Sequence, residues 1–390
     1  MLNQLIVDSY LRCPVCHFEE SFKYGSNKMV CNSCGFEPKI RFGIPALIKD
    51  EEMGIYSDRF LNQPANKRKI KNPHKELSLN FFQRLFFAEV IHFINFIFFS
   101  YKLGLKNMLH QKYCNEVEKA LCYGWRNYYN LILKAGEIAQ FKKMGKYIME
   151  PSLEIGCADS RTTNMIFKNN IESITFGCEY FMDSFLNAQS ELSEEMHKLI
   201  KHYIGGSIKS LPFRSNIFTS VIMVHIIDHI IHIDECLKEI SRILRPGGHL
   251  VMTGFSKNTF KNLPGVRIRK IFSTKWSERY QKWRIIKDNP RGNPMKSYFE
   301  YDAIGQNIFS IQEWENIVKT HGFKIVDYAF FGKYFSYFKD IEYKGYYNSI
   351  LLNRFIYGII SEIIEQEKKS PVSEEESTNI ILVLKKEKTN

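Results

Sequence analysis

The sequence predicts an α/β protein organised on a mainly parallel sheet, and three observations carry the prediction. From Tyr147 onward, short apolar runs alternate with stretches of helical spacing, the pattern that puts crossover helices between parallel strands. The run Leu153-Glu154-Ile155-Gly156-Cys157-Ala158-Asp159-Ser160 reads as a strand with an acidic residue near its end, then a small-residue turn, then a helix start. Phe218–Val224 is apolar enough for the centre of such a sheet.

The elements follow in order. Tyr147–Ile155 is expected as the first strand, Ile174–Glu179 as the second, His202–Gly205 as a short third and Phe218–Val224 as the fourth. Ile233–Leu244 is expected as a helix that stops at Arg245-Pro246-Gly247-Gly248, after which His249–Phe255 resumes as a strand. Ile311–His321 is a helix ended by Gly322, Phe323–Phe331 a strand, and Asn379–Lys385 the last strand. Insertions are expected at 256–308 and 332–372, the second with an amphipathic helix over Ser349–Glu365. Ahead of this domain, 147–390, lie a cysteine-bearing module at 1–48, a basic linker at 49–80 and a helical segment at 81–146 that packs on it. The linker carries Pro64, Pro73 and Asn66-Lys67-Arg68-Lys69, and Glu116–Lys143 continues the helical segment. No internal repeat is visible.

Length and composition bound the function. With 390 residues, 44% hydrophobic and 25% charged, the chain can bury one large core and an appendage. The net charge of +12 suits a nucleic acid or an anionic surface, and equally a Lys-, Asn- and Ile-rich composition with no such partner. Met1–Leu11 lacks a basic start followed by an apolar run, so no signal peptide is expected. Leu85–Leu103 is rich in Phe and Ile but is interrupted by Glu89, His92, Asn95 and Ser100. It is expected to be an amphipathic helix buried on the main domain, with contact at a membrane surface as the alternative. Four of the nine cysteines cluster near the start, and Cys114, Cys122, Cys157, Cys178 and Cys236 are scattered. That distribution speaks against a disulfide framework and for a reducing, cytoplasmic compartment.

Cys13-Pro14-Val15-Cys16 and Cys31-Asn32-Ser33-Cys34 are two CxxC knuckles. Zinc needs four soft donors in a tetrahedron; each knuckle turns two thiolates onto one ion, and the loop between them lets the pairs meet. A closed Cys₄ site leaves no position for water, so the expected role is structural. His17 is surplus to the set and reads as a surface residue. The continuation Cys34-Gly35-Phe36-Glu37-Pro38-Lys39-Ile40-Arg41-Phe42-Gly43-Ile44-Pro45-Ala46-Leu47 resembles the zinc ribbon of small methyltransferase-activator proteins, in which a Gly-Ile-Pro turn follows the second knuckle.

From residue 145 to 331, with the last strand, the segments resemble class I S-adenosylmethionine-dependent methyltransferases. Glu154, Gly156, Ala158 and Ser160 match the first motif, acidic-x-Gly-x-Gly-x-Gly, and Glu179 matches the acidic residue closing the second strand. Gly206-Ser207-Ile208-Lys209-Ser210-Leu211-Pro212-Phe213 matches the turn after the third strand. Phe218-Thr219-Ser220-Val221 through His225, Asp228 and His229 matches the fourth strand and its exit, and Leu237 to Gly248 the helix and turn before the fifth. The resemblance implies a Rossmann-like seven-stranded sheet with an antiparallel last strand, preceded here by the zinc ribbon and the helical segment.

It also implies roles. Gly156, Ala158 and Ser160 let the backbone approach the cofactor; Glu154 balances the methionine amino group; Glu179 accepts the ribose hydroxyls; Ser207 and Ile208 flank adenine. Ala158 and Ser160 replace glycines, and are small enough for the turn if their φ angles stay negative. Ser207 and Thr219 stand where the family often has Asp. His225, leaving the fourth strand, is the candidate general base. A dinucleotide oxidoreductase fits poorly, because the full Gly-x-Gly-x-x-Gly is missing and Arg245-Pro246-Gly247-Gly248 is foreign to it.

The insertion from Lys257 to Lys296 mixes cations such as Lys261, Arg267 and Arg279 with Trp276, Tyr280 and Trp283. Such a surface suits RNA, or a phosphorylated, nucleotide-linked or acidic-glycan acceptor, and equally a helix whose three rings pack on the core with the cations solvated. The expected acceptor is a small molecule or a metabolite-linked sugar, with an rRNA or tRNA base as the alternative. A methyltransferase-like binding module with a decayed site is the third reading. No DNA partner is expected.

Overall fold

A computed structural model describes residues 2–19, 22–25, 28–41, 43–49, 113–125, 128–158, 160–168, 171–180, 182, 199–230, 233–257, 309–333 and 350–387. A small antiparallel hairpin, β1 (Phe22–Gly25) and β2 (Lys28–Cys31), lies within the cysteine module. The other strands are β3 (Lys39–Arg41), β4 (Ile44–Leu47), β5 (Ser152–Ile155), β6 (Ile174–Glu179), β7 (Ile200–Gly206), β8 (Phe218–Val224), β9 (Leu244–Phe255), β10 (Phe323–Phe331) and β11 (Asn379–Lys386). They form one nine-stranded sheet in the order β10-β11-β9-β8-β5-β6-β7-β4-β3.

The seven strands from β5 onward are those the sequence predicts, with β5 to β9 parallel and β11 antiparallel to both neighbours. Two more come from the cysteine module. Its β3–β4 hairpin extends the sheet, β4 running parallel to β7 through Ala46↔Gly205 and Leu47↔Gly206. Gly205 permits this approach, since a Cβ there would lie 2.9 Å from the Ala46 Cα.

Both faces of the sheet are covered, because successive strand residues point to opposite sides. One core takes Ile222 and Val251 from the sheet. It packs them against α2 (Asn115–Cys122), α3 (Tyr128–Met144), α4 (Arg161–Phe167) and α7 (Ile350–Lys369). The other core takes Val221, Met223, Leu250 and Met252. It packs them against α1 (Gln4–Tyr10), α5 (Ile233–Ile243), α6 (Ile311–Lys319) and the cysteine module. In α5 the buried residues Cys236, Leu237, Ile240 and Ile243 recur at helical spacing and form one stripe. The sequence ends and starts helices as it should: Ser310 and Glu313 make a reciprocal capping box at the start of α6.

Several boundaries differ from expectation. The first strand begins at Ser152 rather than Tyr147: Gly145–Tyr147 is a 3₁₀ turn, and Pro151 has no N–H to give a sheet ladder. The run Glu116–Lys143 is two helices, α2 and α3, parted at Tyr123-Gly124-Trp125. The third strand is longer than expected, Ile200–Gly206, and the helix expected at Ser349–Glu365 runs Ile350–Lys369. The linker from residue 50, the segment 81–112 with Leu85–Leu103, and the basic insertion over 258–308 lie outside the described residues. No described helix is long and apolar enough to cross a membrane.

Candidate active site

Chain order reverses at β5. Strands β6 and β7 lie to one side of it, β8 and β9 to the other, so the carboxyl ends of β5 and β8 flank a topological switch point. The residues matched to the first motif, the second-strand acid and the fourth-strand exit all leave the sheet at this edge.

The first turn keeps the glycine-type backbone. Gly156 has φ +72°, and a Cβ there would strike the Ile226 side chain at 2.3 Å. Ala158 and Ser160 have φ +45° and +59°. The condition of negative angles is therefore not met: both side chains sit in the left-handed region that their replaced glycines would have occupied freely. Local bonds hold them there. Ser160 N–H donates to Cys157 O at 2.7 Å, its hydroxyl pairs with the Tyr203 hydroxyl at 2.9 Å, and Ala158 N–H donates to the Glu179 carboxylate at 2.8 Å.

Glu154 and Glu179 are both buried. Thr163 of α4 donates its hydroxyl to Glu154, so the strand-end carboxylate is tied to the helix that follows the turn. Glu179 ends β6 opposite Gly205. Ser207 and Ile208 leave β7 in a tight turn closed by Ser210 N–H to Ser207 O at 3.1 Å, with Ser207 buried and Ile208 half-buried. The donor set fits S-adenosylmethionine: a carboxylate at the tip of β6 for the ribose, and a small-residue turn beside it. Bound there, that cofactor supplies a sulfonium-activated methyl group.

His225 follows β8 with φ +52°. Its backbone N–H donates to Thr253 Oγ1 at 2.9 Å. Its Nε2 meets the carboxylate of Glu137, and its Nδ1 lies 3.8 Å from Asp228 Oδ2. Glu137 is fully buried on α3 and is also paired with Lys134 at 3.0 Å. Burial works against the imidazolium, but the two carboxylates, Glu137 first, overcome it and hold His225 above the usual histidine pKa. Burial likewise opposes the Glu137 charge, and Lys134 with His225 outweighs it, keeping Glu137 below the usual carboxylate range. Sequence reasoning missed Glu137 and Lys134. Their signal was a charged pair inside the otherwise apolar run Leu131 to Phe141. Lys134 and Arg161 also lie over the ring of Trp125, which ties α3 to the start of α4 beside the first turn.

The four knuckle cysteines converge. Their sulfurs all lie within 4.8 Å of one another, Cys13 to Cys34 at 3.6 Å and Cys16 to Cys31 at 3.7 Å. A tetrahedral zinc with Zn–S of about 2.3 Å separates its sulfurs by about 3.8 Å, so the donor set fits that ion. The knuckles are alike: His17 N–H donates to Cys13 O and Gly35 N–H to Cys31 O, with φ of 60° and 74° at the two donors. His17 thus occupies a glycine-type position and is exposed, outside the ligand set. The module is bonded to the domain. Arg12 pairs with Glu239 at 3.2 Å, and Glu239 also accepts from Arg242 and from Leu211 N–H. Leu11 bridges Phe213, and Ser210 Oγ donates to Pro14 O.

Residues 153–252 match the sequence model of a family described as "Methyltransferase domain". No curated protein matches the chain. Among solved structures, the YcgJ protein from Bacillus subtilis is similar at 14% identity, TM-score 0.39, over 65% of this chain and 99% of that one. Geranyl diphosphate methyltransferase in complex with S-adenosylmethionine is similar at 12% identity, TM-score 0.40, over 67% and 90%. The [4+2]-cyclase SpnF is similar at 15% identity, TM-score 0.40, over 66% and 82%. Likenesses this distant carry no argument about substrate. The matched segment spans β5 to β9, the strands that build the site, so that part of the chain carries a methyltransferase domain.

Proposed function

We propose that the chain methylates a small molecule, or a sugar carried on a metabolite, at the corner between the first turn and the β8 exit. The observation that carries this is the enclosure of that corner. His225 is 16% exposed, with Glu137 at 0% and Asp228 at 2% around it. Two buried carboxylates beside the proposed base suit a small acceptor group and disfavour a polyanionic RNA. Glu154, Gly156, Ala158, Ser160, Glu179, Ser207 and Ile208 are the proposed cofactor residues, and His225 is the proposed base.

The zinc ribbon is proposed to be structural, with Cys13, Cys16, Cys31 and Cys34 as ligands. Converging thiols suit a reducing, cytoplasmic compartment. The proposed domain division is a ribbon at 1–48, a linker, a helical segment to 146 and the methyltransferase domain at 147–390.

Incubation of the protein with trideuteromethyl S-adenosylmethionine and a cell lysate tests the reading. Label recovered in low-molecular-weight products supports it. Label confined to RNA overturns the acceptor class. Absence of S-adenosylmethionine binding by calorimetry at millimolar cofactor sinks the enzyme reading altogether.

A further inference from the structure

The Lys134–Glu137–His225–Asp228 constellation joins α3, which lies ahead of the first motif, to the exit of β8. A buried charged pair is expensive to desolvate, and hydrophobic residues in its place would often be as stable. Lys134 and Glu137 are nonetheless surrounded by buried Leu131, Ile132, Leu133, Ala135, Ile138 and Ala139. Their effect falls on one partner, the imidazole of His225.

We propose that Glu137 is the positioning residue for His225, and that the pair accepts the proton of a hydroxyl acceptor. This rests on the small-molecule methyltransferase reading above. Glu137 faces Nε2, so it selects the tautomer with hydrogen on Nε2 and leaves the Nδ1 lone pair as the base. Asp228 Oδ2, at 3.8 Å from Nδ1, is beyond hydrogen-bond range and leaves that nitrogen open. Asp228 is itself held, its Oδ1 accepting from Phe255 N–H at 3.0 Å. When the acceptor O–H bond breaks, its proton passes to Nδ1. The oxygen electron pair forms the new O–CH₃ bond. The bond from the methyl carbon to the sulfonium breaks, and its electron pair returns to sulfur as a neutral thioether. The imidazolium so formed lies between two carboxylates and then yields its proton to solvent.

Among the described residues, the charged groups facing His225 are Glu137 and Lys134 from α3 and Asp228 from the turn after β8. Thr253 of β9 touches its backbone, and the Phe255 ring packs on the imidazole. The two carboxylates raise the imidazole pKa, and Lys134 lowers it. Glu137→Gln keeps the size of the side chain and removes the charge that acts on His225.

The test is an NMR titration of the His225 imidazole in the full-length protein, assigned by its loss in His225→Gln. Glu137→Gln should move the midpoint to lower pH, and Lys134→Met should move it to higher pH. S-adenosylmethionine affinity, measured by calorimetry, should stay within about twofold in both variants, since neither side chain is among the proposed cofactor residues. An unmoved midpoint in both variants overturns the proposal. So does a labelled product whose new methyl group sits on nitrogen or sulfur, since the pair is assigned to a hydroxyl proton. Failure of the wild-type protein to bind the cofactor would instead overturn the underlying methyltransferase reading. If Glu137→Gln does not fold, the Lys134→Met midpoint decides the matter alone.

Discussion

The Glu179 carboxylate accepts a 2.8 Å hydrogen bond from the backbone N–H of Ala158. The end of β6 thereby holds the turn that follows β5. In the proposed site one side chain serves both the ribose of the cofactor and the shape of the loop beneath it, so its loss should show in two measurements. Glu179→Ala should weaken S-adenosylmethionine binding at least about tenfold in calorimetry. It should also lower stability by about 1.5–3 kcal/mol, the range for a buried hydrogen bond to a charged group. A variant with unchanged affinity would remove Glu179 from the proposed site.

Ala158 and Ser160 occupy left-handed backbone, at φ +45° and +59°. A non-glycine residue there costs about 1 kcal/mol or more. Ala158→Gly should therefore raise stability by about 1 kcal/mol in denaturant unfolding. Ser160→Gly relieves the same strain but loses the bond to the Tyr203 hydroxyl, so it should be near neutral. Tyr203→Phe separates the two effects and should be destabilising by about 1 kcal/mol. If Ala158→Gly is destabilising, the turn is not strained.

The strand run was legible because alternation and the Arg245-Pro246-Gly247-Gly248 break are local signals, although that break lies inside β9, at a register shift against β8, rather than ahead of a strand at His249. The seven expected strands occupy their places, and the cysteine spacing led to a four-sulfur cluster. What the sequence could not show is long-range. Nothing local tells that β4 will run beside β7, because that pairing depends on glycine at 205 allowing Ala46 to approach. Glu137 reads as one acid in a helix until α3 is laid across the β8 exit. The positive φ angles at Ala158 and Ser160 are not legible from side-chain size, because the turn itself dictates the backbone.

The cysteine module grips the same segment that carries the proposed adenine residues. Arg12 N–H donates to Pro212 O, Ser210 Oγ to Pro14 O, and Glu239 links Arg12 to Leu211. Ser207 and Ile208 open that segment. A structural zinc site contributes folding free energy directly, so its removal should loosen the segment too. Wild-type protein should contain about one zinc per chain by elemental analysis, and Cys31→Ser should lose it. Cofactor affinity should then fall several-fold, although no cysteine of the cluster is among the proposed cofactor residues. Zinc-depleted protein that binds S-adenosylmethionine normally would show the ribbon and the site to be independent.

Glu367 on α7 is buried and accepts the backbone N–H groups of Gly332 and Lys333 at 3.1 and 2.8 Å. Burial pushes its pKa up to about 7, although the two N–H groups and the Lys333 charge favour the ionised form. The Lys333 ammonium is engaged 2.6 Å from Glu376, which limits its help. The unfolded chain ionises this group near the ordinary glutamate value of about 4.3. Below that pH both states hold the proton and no penalty exists. As pH rises through about 4.3 the unfolded state loses its proton while the folded state keeps it, so stability falls until about pH 7. The whole effect is bounded by about 4 kcal/mol. Thermal unfolding between pH 5 and 8 should show this fall, and Glu367→Gln, which carries no ionisable group, should flatten it. Identical slopes in the two proteins would mean that Glu367 is ionised throughout and that the N–H pair outweighs its burial.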